Sequence, residues 1–309
     1  MKNSRLNLKG LVAASFSPMG EDCTLDLSLV EKMAERLESW NCAGVFVNGT
    51  TGESLSLTVE ERKQIAAKWC RVARSSSLSV IIHVGHNSIP AAAELACHAE
   101  ESGADAVGMM PPCYLKPENV DDLVECCGRV ARQAPGIPFY YYHIPDLTGV
   151  TLSMTEFLEK GAGAIPNLAG IKYTSSDLAE FLQCLNFMDG AFDLLFGRDE
   201  ALLAGLAMGA VSAIGSTYNV AAPVYNRIIR NFELGNLADA RRDQLFMADI
   251  VSLMKRYGFL PAAKAVMAMT GVPCGPVRLP LRELSGKEKT ALRKELEIAG
   301  FFERLQIQG

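Results

Sequence analysis

The chain has no C-x-x-C pair, although it contains nine cysteines (Cys23, Cys42, Cys70, Cys97, Cys113, Cys126, Cys127, Cys184 and Cys274). An odd number of thiols scattered in this way excludes a disulfide framework and a zinc ribbon, and it suits a reducing compartment. No Gly-x-Gly-x-x-Gly follows an apolar run and no Walker pattern occurs, so neither a dinucleotide nor a nucleoside triphosphate is indicated. The four histidines (His83, His86, His98 and His143) lack ligand spacing with carboxylates or thiols, and no metal is expected. Long apolar runs are missing as well. No stretch could span a bilayer, and the segment from Met1 to Lys9 is too polar for a secretory signal. The expectation is a cytoplasmic protein without membrane contact, in which the glycosylation pattern Asn48-Gly49-Thr50 is accidental. A basic cluster is also absent at a net charge of -5, which argues against a nucleic-acid partner.

What the chain does have is a series of short apolar runs. With 309 residues, 49% hydrophobic and 21% charged, it can build a large core. The runs are Leu11–Phe16, Gly44–Val47, Val80–Val84, Ala106–Met110, Phe139–Tyr142, Leu168–Lys172, Leu194–Phe196 and Val211–Gly215. They are continuous, not alternating, as in strands of a parallel sheet buried on both faces. Helical signals lie between them. Val30, Met33, Ala34 and Leu37 share one face, Thr58-Val59-Glu60-Glu61 and Ser153-Met154-Thr155-Glu156 read as capping boxes, and Pro90 and Pro117 read as first-turn prolines. This alternation admits an open doubly wound sheet or a closed barrel, and eight units favour an α/β fold of the (β/α)8 TIM-barrel type. Beyond Gly215 only helices follow, roughly Ala222–Leu234, Leu237–Tyr257, Ala262–Thr270 and Lys287–Ala299. The first would close the barrel, giving a barrel over residues 1–235 and a helical extension over 236–309 packed on it. Pro273, Gly275, Pro276 and Pro280 mark an irregular crossing within the extension.

In such a barrel chemistry belongs at the C-terminal ends of the strands. The sixth run ends in Lys172, whose amine, if desolvated, becomes a nucleophile toward a carbonyl; the plainer alternative is a lysine that snorkels to solvent. The second run leads into Gly49-Thr50-Thr51-Gly52-Glu53, suited to a small carboxylate or simply a tight turn. The fifth carries Tyr142 to the mouth, either as a core phenol or as a proton relay. Asp199 and Glu200 after the seventh run are ligand groups or first-turn acids, and Ser216 follows the eighth. Together these groups could bind an oxo acid, attack its carbonyl and move protons. Lys264 is a second lysine in apolar surroundings, but its place on a C-terminal helix puts it away from the barrel mouth.

At these residues the chain resembles the N-acetylneuraminate lyase and dihydrodipicolinate synthase superfamily of class I (Schiff-base) aldolases, from Leu11 to about Leu281. The carriers are the G-x-x-G-E loop at Gly49–Glu53, the Y-x-x-P segment at Tyr142–Pro145 and the G-x-K at Gly170–Lys172. The resemblance implies that Lys172 forms the Schiff base with pyruvate, Thr50 and Thr51 bind its carboxylate, and Tyr142 carries protons; no cofactor is required. Dihydrodipicolinate synthases place an arginine where this chain has Leu147, and a leucine cannot replace a bidentate carboxylate clamp. Thr174, Gly197, Asp199, Glu200 and Ser216 instead resemble the sialic acid lyases of the superfamily, where the Gly, Asp, Glu and Ser bind the hydroxylated tail of the sugar acid. The implied reaction is reversible cleavage of the sialic acid N-acetylneuraminate to N-acetylmannosamine and pyruvate. Another sugar acid such as 2-keto-3-deoxygluconate is the alternative substrate, and a catalytically silent sugar-acid-binding barrel the alternative class. Tyr114 matches a tyrosine that the family inserts into a neighbouring subunit's site, which implies a homo-oligomer, in the form of a homotetramer. Cys113 and His143 depart from residues common in the family.

Overall fold

A computed structural model describes residues 5–305. Eight parallel strands form one closed barrel in chain order: β1 (Gly10–Ala14), β2 (Gly44–Val47), β3 (Ser79–His83), β4 (Ala106–Met109), β5 (Phe139–His143), β6 (Leu168–Tyr173), β7 (Asp193–Phe196) and β8 (Ser212–Gly215). Closure is direct, since β1 pairs with β8 from Gly10 opposite Ser212 to Ala13 opposite Gly215. Successive side chains point to opposite faces of a strand, so each run feeds two cores. Val12, Phe46, Ile81, Tyr140, Leu195 and Ile214 fill the barrel interior. Val45, Val47, Ile82, Tyr141, Ile171 and Phe196 pack outward under the helices. This is why the runs show no polar alternation: neither face meets water, and each fully buried aliphatic side chain contributes about 1.5–3 kcal/mol.

The helices of the ring are α1 (Val30–Ser39), α2 (Val59–Ala73), α3 (Ile89–Ser102), α4 (Val120–Ala131), the single turn α5 (Pro145–Thr148), α6 (Met154–Ala164), α7 (Leu178–Asn186), α8 (Leu202–Ala207) and α9 (Tyr218–Glu233). In α1 the buried residues are Val30, Met33, Ala34 and Leu37, one stripe at helical spacing. Thr58 and Glu61 close a reciprocal capping box on α2, and Ser153 caps α6. Pro90 stands in the first turn of α3. Pro117 does not play that part: α4 starts at Val120 and is capped by Asn119, whose side chain accepts from the Asp122 N–H. Nor does the helix after β8 start at Ala222. It starts at Tyr218, is broken at Ala221 (φ -147°), and resumes with Pro223 near the start of the second segment, where a missing N–H does least harm. Asn48 is 1% exposed and its side chain donates to the Arg62 carbonyl, so the glycosylation pattern is inaccessible in the fold.

Past the barrel come α10 (Leu237–Arg256), α11 (Phe259–Met269), α12 (Gly286–Ile298) and α13 (Phe301–Leu305). The stretch between α11 and α12 is irregular and crosses back to the loops after β1 and β2. Arg278 ties it there, donating to the Cys23 and Ser56 carbonyls and pairing with Glu61 at 2.6 Å. Among the described residues no helix is long and apolar enough to cross a membrane.

Candidate active site

Lys172 reaches the barrel mouth because of an irregularity. Where β5 advances one residue, from Phe139 to Tyr140, β6 advances two, from Leu168 to Gly170. The extra residue is a bulge that reverses the inside–outside parity of the strand. Ala169 faces the interior, Ile171 and Tyr173 face the helices, and Lys172 lines the mouth. Gly170 is needed at the bulge, because a Cβ there would lie 1.9 Å from the Asp193 carbonyl oxygen.

The amine is deeply enclosed. Lys172 is 4% exposed, and its Nζ lies 3.5 Å from the ring centre of Tyr142 and 4.3 Å from that of Phe46. Burial lowers its pKa, while Tyr142 and the carboxylate of Asp199 pull it partly back up. A larger share of free amine at neutral pH makes a better nucleophile.

Parity also sorts the tyrosines of β5. Tyr140 and Tyr142 point inward, and Tyr141 and His143 point outward. The Tyr140 hydroxyl is used at the barrel floor, donating to Asp193 at 2.7 Å and accepting from the Leu6 N–H at 3.1 Å. Tyr142 is therefore the phenol at the mouth, its hydroxyl 3.4 Å from Thr50 Oγ1. Thr51 Oγ1 lies 2.6 Å from Ser216 Oγ, which joins the loop after β2 to the end of β8. His143 packs 5.1 Å from the Tyr173 ring in the outer layer, where burial pushes its pKa down to about 4.

Across the mouth stand the groups after β6, β7 and β8. Thr174 Oγ1 is buried without a hydrogen-bond partner among the described residues and lines the cavity. Gly197 lets it sit there, since a Cβ would come within 1.9 Å of that oxygen. Asp199 does not cap its own turn. Its Oδ2 accepts from the Thr217 N–H at 2.8 Å and from the Thr217 hydroxyl, at the start of α9, and burial raises its pKa. Glu200 is more open and belongs to an ionic rim: Arg198 bridges it at 3.3 Å and Asp146 at 3.2 Å, and Lys255 lies 3.6 Å away. Thr50, Thr51, Tyr142, Lys172, Thr174, Gly197, Asp199, Glu200 and Ser216 all line one cavity of about 860 Å3, with Leu147 beside them. Tyr114 does not join them; it is 84% exposed on the loop after β4, held by Asn87 Oδ1, which accepts from its N–H at 3.2 Å.

Several supporting residues carry no motif that spacing alone reveals. Phe46 forms one wall of the lysine cage, and His83, fully buried, sets its ring edge-on to Tyr142 at 5.8 Å. Thr217 holds Asp199 from the far side of β8. Lys264 lies on α11 and outside the cavity lining, as expected; what spacing did not reveal is that it is 2% exposed with its Nζ 2.8 Å from Glu53 Oε1, behind the loop that carries Thr50 and Thr51. Among the described residues no cluster of three His, Cys, Asp or Glu could hold a metal ion.

Fold and site define a class, a (β/α)8 barrel that presents a desolvated amine among hydroxyls at the C-terminal mouth of its strands. A model of the Dihydrodipicolinate synthetase family matches residues 7–299, and the chain belongs to that family. It is 42% identical over 277 residues to "N-acetylneuraminate lyase" of Xenopus tropicalis, covering 89% of this chain and 90% of that one. Among solved structures, N-acetylneuraminate lyase of Proteus mirabilis superposes with a TM-score of 0.92 at 39% identity, over 95% of this chain and 99% of that one. N-acetylneuraminate lyase (sialic acid aldolase) of Aliivibrio salmonicida gives 0.93 at 38% identity, over 97% and 98%.

Proposed function

We propose that the chain is a carbon–carbon lyase that reversibly cleaves N-acetylneuraminate to N-acetylmannosamine and pyruvate through a Schiff base on Lys172. The observation that carries this reading is the enclosure of the Lys172 amine against Tyr142, inside a cavity whose hydroxyls and carboxylates come from five strand ends. The amine attacks the C2 ketone of the open-chain sugar acid, and loss of water leaves a protonated imine. Tyr142 takes the proton of the C4 hydroxyl, the C3–C4 bond breaks, and its electron pair moves into the imine to give an enamine. N-acetylmannosamine departs as the aldehyde, a proton returns to C3, and hydrolysis frees pyruvate and the lysine. Covalent and general-base work thus fall to different residues.

Thr50 and Thr51 would take the carboxylate, and Thr174, Gly197, Asp199, Glu200 and Ser216 the hydroxylated tail. A buried polyol needs a partner for each hydroxyl, and the unpartnered Thr174 oxygen and the Asp199 carboxylate supply such partners. Leu147 at the cavity edge, in place of a carboxylate-binding arginine, supports a substrate without a second carboxylate there. Pyruvate release from N-acetylneuraminate, assayed beside 2-keto-3-deoxygluconate, tests the choice of substrate. Release only from the shorter acid would overturn it. The element order supports a barrel over 1–235 carrying an extension over 236–309. The exposed Tyr114 and Leu115 (84% and 82%) support a homotetramer in which this loop meets a second copy. Nine free thiols support a cytoplasmic setting.

A further inference from the structure

Two buried groups take no part in this chemistry, Glu53 and Lys264. Glu53 follows Thr50-Thr51-Gly52 directly and holds a left-handed backbone (φ +56°), which a non-glycine residue keeps only when its surroundings enforce it. Its N–H donates to the Thr50 carbonyl at 3.0 Å, closing the turn that presents both threonines. Its side chain then turns away from the barrel mouth to the C-terminal extension. Oε1 lies 2.8 Å from Lys264 Nζ, with both side chains 1% exposed, and Oε2 accepts from the Arg278 N–H at 2.7 Å. Lys264 also donates to the Pro276 carbonyl at 2.7 Å, so the pair is fixed at its far end too. The near end of the loop is held separately, by Asn48 donating to the Arg62 carbonyl at 2.8 Å. Thr50 and Thr51 therefore lie between two anchors, one from the barrel and one from α11.

We propose that the Glu53–Lys264 ion pair is a positioning device through which α11 sets the place of the Thr50 and Thr51 hydroxyls and hence the site's affinity for the carboxylate of a 2-oxo acid. The inference rests on the reading of Lys172 as the point of pyruvate attachment. A purely structural role is separable by experiment. Removing one partner leaves the other charge buried and unpaired, which is strongly destabilising; replacing both with neutral groups of similar size leaves stability close to that of the parent. The double variant Glu53→Gln/Lys264→Met thus restores the fold while leaving the turn without its ionic anchor.

The measurement is the pyruvate concentration that half-saturates borohydride trapping at Lys172, together with the thermal midpoint, for the wild type, both single variants and the double variant. The single variants lose thermal midpoint and the double variant recovers it. The double variant nevertheless needs roughly tenfold more pyruvate, with the same maximal trapping, because a small displacement of a binding group is felt strongly in affinity. Recovery of wild-type half-saturation together with the midpoint overturns the proposal. Should the double variant not fold, Glu53→Asp keeps the charge and shortens the arm by one methylene. A raised half-saturating concentration in that variant supports the proposal, and an unchanged one overturns it. A wild type that pyruvate does not label at Lys172 overturns the reading of the site and this inference with it.

Discussion

Lys172 sits in apolar surroundings that stabilise its neutral form, and this has a consequence for stability as well as reactivity. A lysine whose folded pKa lies below its unfolded value weighs against folding wherever it must be held charged or give up a proton. The penalty is full below the folded pKa, shrinks as pH rises, and vanishes above the unfolded value near 10.4. Lys172→Met is therefore expected to be more stable than the wild type at pH 7, to lose that advantage as pH approaches 10.5, and to have no lyase activity. Thermal unfolding at several pH values checks this; a destabilised variant at pH 7 would show that the amine is held by favourable contacts instead. Gly170 governs the same lysine from two residues away. A methyl group there meets the Asp193 main chain at 1.9 Å, and backbone cannot rotate aside as a side chain can. Gly170→Ala should cost about 3 kcal/mol, the upper range for overpacking, and should turn Lys172 out of register. A urea midpoint equal to that of the wild type, with full activity, would contradict the role given to the bulge.

At the level of elements, the eight strands were legible because each is a short unbroken apolar run, and the barrel because eight such runs alternate with helical stripes. The bulge in β6 was not legible, since inserting one residue leaves composition and period almost unchanged while reversing which side chains face inward. The early start of α9 was hidden by its break at Ala221, and Asn119 rather than Pro117 started α4 because a side-chain acceptor satisfies an N–H that proline only removes. The loop after β7 carries the next prediction. Asp199 is buried and held by Thr217, whereas Glu200 shares a partly exposed ionic rim whose pairs are individually weak. Asp199→Asn should lower kcat/KM for N-acetylneuraminate about tenfold to a hundredfold, in line with loss of a buried hydrogen bond worth about 1–3 kcal/mol, and Glu200→Gln should lower it less. Pyruvate trapping should be unchanged in both. Equal, wild-type kinetics in the two variants would remove the loop from substrate recognition.

On the scale of the whole molecule, the groups lining the cavity could be named in advance because they end strands of one barrel and so converge on one mouth. The tie between that mouth and the C-terminal extension could not, because Glu53 and Lys264 are far apart in the chain and no spacing rule links them. Assembly is likewise a property of several copies. Tyr114 projects from the loop after β4 and reaches none of its own cavity, so the proposed homotetramer predicts that Tyr114→Ala weakens association and lowers turnover together. Sedimentation of a fully active wild-type monomer at working concentration would refute that assembly. The central claim is covalent, and one measurement meets it directly: incubation with pyruvate and borohydride, followed by mass mapping of the modified residue. The account predicts a single reduced pyruvate adduct on Lys172 and none in Lys172→Ala. An adduct on Lys264, or on no lysine, would contradict it.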